Sequence, residues 1–236
     1  MLELNKHQTI NYSNEIVGTG YLAYRDISKL IEKHSTCSLP NLKVLDYGCG
    51  RGRSTRYLRS LGFKNIDAID ICADMIADAI KHDRNSSYKL VTPFCDLPKK
   101  GNYDFILAQL VLVEISSAEN LLQMLAEQFQ SLKSGGILIH TTASEELLQH
   151  SWLTIATDPN QNINPDNGCA GKIRLLNRNL SLDSWHWTED CLVRYFRQSG
   201  FKLLDIHHPL GHRDDPYKWL SEYYISPYVT FVLLKE

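Results

Sequence analysis

Val44-Leu45-Asp46-Tyr47-Gly48-Cys49-Gly50-Arg51-Gly52-Arg53-Ser54-Thr55 constrains this chain more than any other segment. An apolar strand pattern runs straight into three alternating glycines and then into a helix start. Glycines let the backbone turn sharply and let a ligand approach it closely. The first turn of a helix presents unpaired N–H groups that favour an anionic ligand group. Twenty-two residues beyond Gly48, a second strand pattern, Asn65 to Ile69, ends at Asp70. A carboxylate there can accept both hydroxyl hydrogens of a ribose.

The flanking sequence repeats the same alternation. Leu42 to Tyr47 reads as a strand, Arg53 to Leu61 as a helix closed by Gly62, and Ala73 to Lys81 as a second helix. Strands are expected over Ser87–Val91, Tyr103–Ala108 and Ile137–Thr141, with a helix over Ala118–Leu132 before the last of these. Alternating strand and helix implies right-handed crossovers and a mostly parallel sheet covered on both faces. Ligands bind such sheets at the carboxyl ends of the strands. Tyr21 to Lys33 is expected to form one helix ahead of this core. The stretch from Ser144 to Trp185 is loop-rich, with turn formers nearly throughout Asp158 to Gly168, and reads as an insertion in the domain rather than a linker. A helix over Thr188–Ser199 and two strands, Phe201–His207 and Tyr228–Leu234, complete the chain, the last two expected to pair antiparallel. The expectation is a single domain over 1–236: a cap (1–40), a core (41–142), an insertion or lid (143–187) and a C-terminal helix with strands (188–236).

Composition narrows the function. The formal net charge is -2, with no overall basic excess, which argues against a nucleic-acid partner. The six cysteines are scattered without a CxxC pair, so a reduced, cytoplasmic setting is expected. No apolar run is long enough to span a bilayer, and no membrane partner is expected. His208 and His212 are separated by Pro209 and Gly211, which oppose a helix that would aim both rings one way, so no metal site is expected.

The glycine spacing separates two ligand classes. Dinucleotide folds use G-x-G-x-x-G, whereas here Asp46 precedes Gly48-x-Gly50-x-Gly52. This resembles the first motif of class I S-adenosylmethionine (SAM)-dependent methyltransferases, D-x-G-x-G-x-G. Ile69-Asp70-Ile71-Cys72-Ala73-Asp74-Met75 resembles that family's second motif, and Leu132-Lys133-Ser134-Gly135-Gly136 its L-K-P-G-G turn. Tyr103 to Ala108 and the following Gln109 to Ile115 fall in the expected order. The resemblance covers about residues 42–142 and implies a Rossmann-like three-layer α/β sandwich with a seven-stranded, mostly parallel sheet whose last strand is antiparallel. It further implies that Asp46, Gly48, Cys49, Gly50 and Gln109 lie around the methionine end of SAM, that Asp70 binds ribose, that Ile71 lies along adenine, and that Met75 also contacts the cofactor. Phe94, Cys95 or Asp96 would contact adenine, because Pro93 stands where many members carry an acidic residue. Glu114 stands where many relatives have His.

The function implied is in-line transfer of the SAM methyl group to O, N or C of a small-molecule acceptor, leaving S-adenosylhomocysteine (SAH). RNA or protein methylation, and non-catalytic SAM or SAH binding, are the alternatives. No residue type is obligatory for catalysis, because a base is needed only where the acceptor must lose a proton. His186, between Trp185 and Trp187, reads either as a base facing the acceptor or as a packed histidine. Tyr21, Tyr24 and Arg25 share one face of the expected cap helix and, with Trp185 and His186, are the acceptor-site candidates.

Overall fold

The computed structural model describes residues 16–35, 39–84, 86–93, 100–158, 161 and 168–236. Strands β1 (Lys43–Tyr47), β2 (Asn65–Asp70), β3 (Ser87–Leu90), β4 (Tyr103–Gln109), β5 (Leu132–Ala143), β9 (Lys202–His207) and β10 (Tyr228–Leu234) form one seven-stranded sheet in the order β3-β2-β1-β4-β5-β10-β9. β1 to β5 are mutually parallel, and β10 runs antiparallel to both β5 and β9. This is the expected Rossmann-like sandwich. The order reverses between β1 and β4, so the loops at their carboxyl ends diverge and leave a crevice there.

The helices are α1 (Leu22–Arg25), α2 (Ile27–His34), α3 (Arg53–Ser60), α4 (Ala73–His82), α5 (Ala118–Ser131) and α6 (Glu189–Gln198). Strand alternation sends side chains to two cores. Leu45, Ile106, Leu138 and Phe231 pack beneath α5 and α6 against Leu121, Leu125, Leu192 and Phe196. Their neighbours Val44, Phe105, Ile139 and Val232 face the other way, with Leu30, Ile31 and Leu58. Ser117 caps α5 by accepting from the Asn120 N–H at 3.2 Å, and Thr188 caps α6 through the Cys191 N–H at 3.2 Å.

Three sequence expectations are corrected. The cap is not one helix over Tyr21–Lys33: a 3₁₀ turn (Gly18–Tyr21), α1 and α2 break at Asp26. That carboxylate is taken by Arg25 and by His207 of β9, so tertiary pairing sets the break. Strand β5 begins at Leu132, five residues before Ile137, because the chain extends past Gly135, whose N–H bonds Lys235 O at 2.7 Å. The insertion is not merely loops. β6 (Ile155–Thr157), β7 (Cys169–Leu175) and β8 (Leu180–His186) form a separate antiparallel sheet, its β7–β8 turn carrying Asn179 at φ 52°. Its strands β6 and β7 flank the turn-rich run that dominates the local pattern.

This second sheet is fastened by Glu222, which is fully buried. One of its oxygens accepts the Thr19 hydroxyl and the Leu153 N–H, both at 2.8 Å, and the other accepts the Leu220 N–H at 2.9 Å. Thr19 and Thr154 also exchange reciprocal hydrogen bonds of 2.9 and 3.0 Å. Cap, insertion and last crossover therefore meet on one carboxylate. Replacing Glu222 with Ala strands these buried donors, and should lower stability to urea unfolding by about 2–4 kcal/mol. A loss below about 1 kcal/mol would mean the clasp contributes little.

Candidate functional site

The carboxyl ends of β1, β2 and β4 open into a cavity of about 580 Å³, within the size range of small-ligand sites. Gly48, Cys49, Gly50, Asp70, Ile71, Met75, Gln109 and Tyr24 line it. The structure thus brings eight of the sequence candidates to one surface.

The glycine loop is held to the sheet by its own backbone. Gly48 and Cys49 both donate to Ile69 O at 2.9 Å, and Gly50 N–H donates to Asp70 Oδ2 at 2.7 Å. Gly48 sits at φ +73°, and a Cβ there would fall 2.6 Å from Val111 Cγ2, so a side chain is excluded both by conformation and by the wall opposite. Gly50, at φ +51°, has open space where its Cβ would be.

Asp70 is half-buried, and its other oxygen accepts the Cys72 N–H at 2.8 Å. Burial pushes its pKa up, and the Cys72 and Gly50 N–H groups oppose that rise. The carboxylate has about four acceptor positions and its backbone contacts use at most three, so it can still accept from a ligand hydroxyl. Gln109 donates its amide to Ala23 O at 3.0 Å, while its buried Oε1 has no partner among the described residues. A buried acceptor left unpaired on a cavity wall fits a ligand N–H.

Asp46 lies behind the loop, outside the cavity lining, and is fully buried. Its Oδ2 accepts the Ser54 and Thr55 hydroxyls at 2.7 and 2.5 Å, which fixes the start of α3. Burial raises its pKa to about 6, the two hydroxyls pull it down, and Asp70 adds to the rise.

The acceptor-site candidates separate. Tyr24 lines the cavity, edge-on to Tyr57 and beneath the Arg53 guanidinium. Tyr21 stacks on Trp219 and packs against Tyr217, away from the cavity lining. Arg25 pairs with Asp26 and Asp215. Trp185 and His186 are outside the lining; His186 abuts Gly171 on β7, shares a 2.8 Å hydrogen bond with Ser184, and is pushed by burial to a pKa of about 4. Phe94, Cys95 and Asp96 lie outside the described residues.

Leu147, Ile155, Ile173 and Leu182 escaped the sequence reading, whereas Leu110 and Val113 belong to the Gln109–Ile115 segment expected after the fourth strand. Leu110, Val113, Leu147, Ile155, Ile173 and Leu182 form an apolar half of the cavity beside the glycine loop. Three of the six, Ile155, Ile173 and Leu182, come from the second sheet, which lies next to the dense run of turn formers. Glu114 also lines the cavity, and burial followed by the nearby Asp70 charge raises its pKa to about 7. Its sequence signal was a single carboxylate within the apolar run from Leu110 to Ile115.

A methyltransferase-domain family model matches residues 21–206. Malonyl-[acyl-carrier protein] O-methyltransferase of Enterobacter lignolyticus is 29% identical over 51% of this chain and 47% of its own length, so the chain spans about half of that relative. A ubiquinone biosynthesis O-methyltransferase of Rickettsia typhi is 28% identical over 80% of each chain. The structure of a SAM-dependent methyltransferase from Mesorhizobium loti shares the fold with a TM-score of 0.63 at 14% identity, covering 92% of this chain and 100% of its own.

The raised pKa of Asp46 has a consequence for stability. Its folded value of about 6 lies above the ordinary 3.8, so between these values the folded state holds more proton than the unfolded one. Stability from this group is therefore full below about pH 4 and is lost as pH rises through about 6. Comparing urea unfolding of wild type and Asp46→Asn should show the variant gaining, relative to wild type, on the order of 3 kcal/mol between about pH 4 and pH 7. A pH-independent difference would contradict the burial of a titrating carboxyl at this position.

Proposed function

Since the chain belongs to the class I SAM-dependent methyltransferase family, we propose that it methylates a small-molecule acceptor held in the apolar half of its cavity. The observation that carries this reading is the junction of two chemically different sets of wall residues in one cavity. One set has the glycine loop, the Asp70 carboxylate and the unpaired Gln109 Oε1. The other is the apolar group Leu110, Val113, Leu147, Ile155 and Ile173, which belong to one packed cluster. A volume of about 580 Å³ suits a cofactor with a small acceptor better than a folded macromolecule.

In this reading Asp70 accepts the ribose hydroxyls of SAM, with Ile71 and Met75 along the adenine. The open space over Gly50 admits the sulfur-bearing chain, and Gln109 Oε1 accepts from its ammonium group. When bound, SAM supplies an activated methyl group on a sulfonium. The chain's task is to orient the acceptor in line with that methyl and to exclude water. The cap and second sheet, fastened by Glu222, enclose the acceptor half. Oxygen is the favoured acceptor atom, because both relatives described above are named O-methyltransferases.

Incubation of the protein with methyl-labelled SAM and separated cell fractions tests the acceptor class. Label should enter the small-molecule fraction; label confined to RNA or protein would refute the reading. Ile173→Trp fills the apolar half and should abolish transfer while leaving SAM affinity within about threefold, because its side chain lies on the acceptor side. Asp70→Ala should instead weaken SAM binding by roughly 1–3 kcal/mol through lost charge-assisted hydrogen bonds. Unchanged affinity in the folded variant would remove the ribose assignment.

A further inference from the structure

We propose that Glu114 is the general base of the transfer, accepting the proton of a hydroxyl group on the acceptor. This inference rests on the reading of an oxygen acceptor in the apolar half of the cavity. Its ground is the turn that follows β4. Leu110 takes a left-handed conformation at φ 58°, which is uncommon for a residue with a branched side chain, and its N–H is tied to Thr141 O at 2.8 Å. The chain then coils into a 3₁₀ turn, Leu112–Glu114, and Val111, Val113 and Glu114 all join the cavity wall.

The other carboxylates of the wall are otherwise engaged. Asp70 is held by two backbone N–H groups, and Glu127 on α5 accepts the Tyr47 hydroxyl at 2.7 Å. Asp74 on α4 and Asp183 on β8 are exposed. Glu114 is half-buried, and its carboxyl makes no hydrogen bond with any described residue. The 3₁₀ turn packs against β5 and β8. The buried titratable groups of those strands, His140 and His186, are held neutral by burial, at about 3 and about 4. Of the cavity's cations, Arg51 is ion-paired with Asp78, Arg53 lies over Tyr24, and Arg178 sits at the β7–β8 turn. Glu114 is therefore raised by burial and by Asp70 to about 7, the range in which a base is both deprotonated and strong enough at neutral pH.

The same chemistry selects the acceptor. A carboxylate acceptor is already ionised at neutral pH and needs no base, and these wall carboxylates would repel it. A phenol-type hydroxyl, with a pKa of about 10, needs one. The acceptor O–H proton passes to Glu114, the oxygen lone pair forms the bond to the methyl carbon, and the carbon–sulfur electron pair stays on sulfur. SAH and the methyl ether leave, and Glu114 returns the proton to water.

Three measurements on wild type and Glu114→Gln test this. In the SAH complex of protein labelled with ¹³C-glutamate, one carboxyl resonance should titrate near pH 7 and be missing from the variant. A titration in the ordinary range near ~4.3 overturns the proposal. SAM affinity of the variant, measured by calorimetry, should stay within about threefold of wild type; a tenfold loss would make Glu114 a cofactor ligand and also overturn it. With catechol, whose first hydroxyl ionises well above neutral pH, as hydroxyl probe, wild-type kcat should rise with pH to a plateau above ~7, and the variant should lose at least ~100-fold in kcat with KM little changed. Glu114→Asp should restore part of the rate. Equal rates in wild type and Glu114→Gln refute the assignment. The first two measurements need no turnover, so they decide even if this probe is a poor acceptor. Label transfer to RNA or protein alone would defeat the small-molecule reading, whereas small-molecule transfer with an ordinary Glu114 defeats only this inference.

Discussion

The hydrogen bond from Gly50 N–H to Asp70 is the constraint on which the site depends. It joins the loop after β1 to the end of β2 at 2.7 Å, beside two further bonds from Gly48 and Cys49 to Ile69 O. The loop is thereby laid across the carboxyl ends of two neighbouring strands instead of projecting into solvent. A side chain at Gly48 would strike Val111 and force this loop out of place. The same carboxylate that anchors the loop also faces the cavity, so loop position and ligand recognition are set together. Asp46 completes the anchor from behind by fixing Ser54 and Thr55 at the start of α3.

The acceptor side is built on a different principle. Its wall draws on the cap and the second sheet, and both are tied to the connection between β9 and β10, segments far apart in sequence. They converge on Glu222, which accepts hydrogen bonds from Thr19, Leu153 and Leu220. A buried carboxylate is costly unless its donors are all supplied, so this clasp links closure of the cavity to correct assembly of all three segments. The division between a locally encoded cofactor half and an assembled acceptor half gives one fold room for many acceptors.

That division also explains what was legible in the sequence. The parallel strands, the glycine loop and Asp70 are written as short-range patterns: apolar runs, positive-φ glycines and a carboxylate at a strand end. The split of the cap at Asp26 was not, because it is set by His207, 181 residues away. The β6–β8 sheet lies beside a dense run of turn formers, which masks the alternation of Lys172-Ile173-Arg174-Leu175 and Leu180-Ser181-Leu182-Asp183 that pair across β7 and β8. Glu114 is one of 27 acidic residues, and only burial beside Asp70 distinguishes it. His186, the sequence candidate for a base, faces Gly171 across the β7–β8 pair, and its burial keeps it neutral.

The central claim is that the loop anchored on Asp70 holds SAM in the cavity. Calorimetric titration of the purified protein with SAM and with SAH tests it most directly. The account predicts that both bind in the micromolar range, close to one per chain. Absence of binding of either ligand by a folded protein, with none carried through purification, would contradict it.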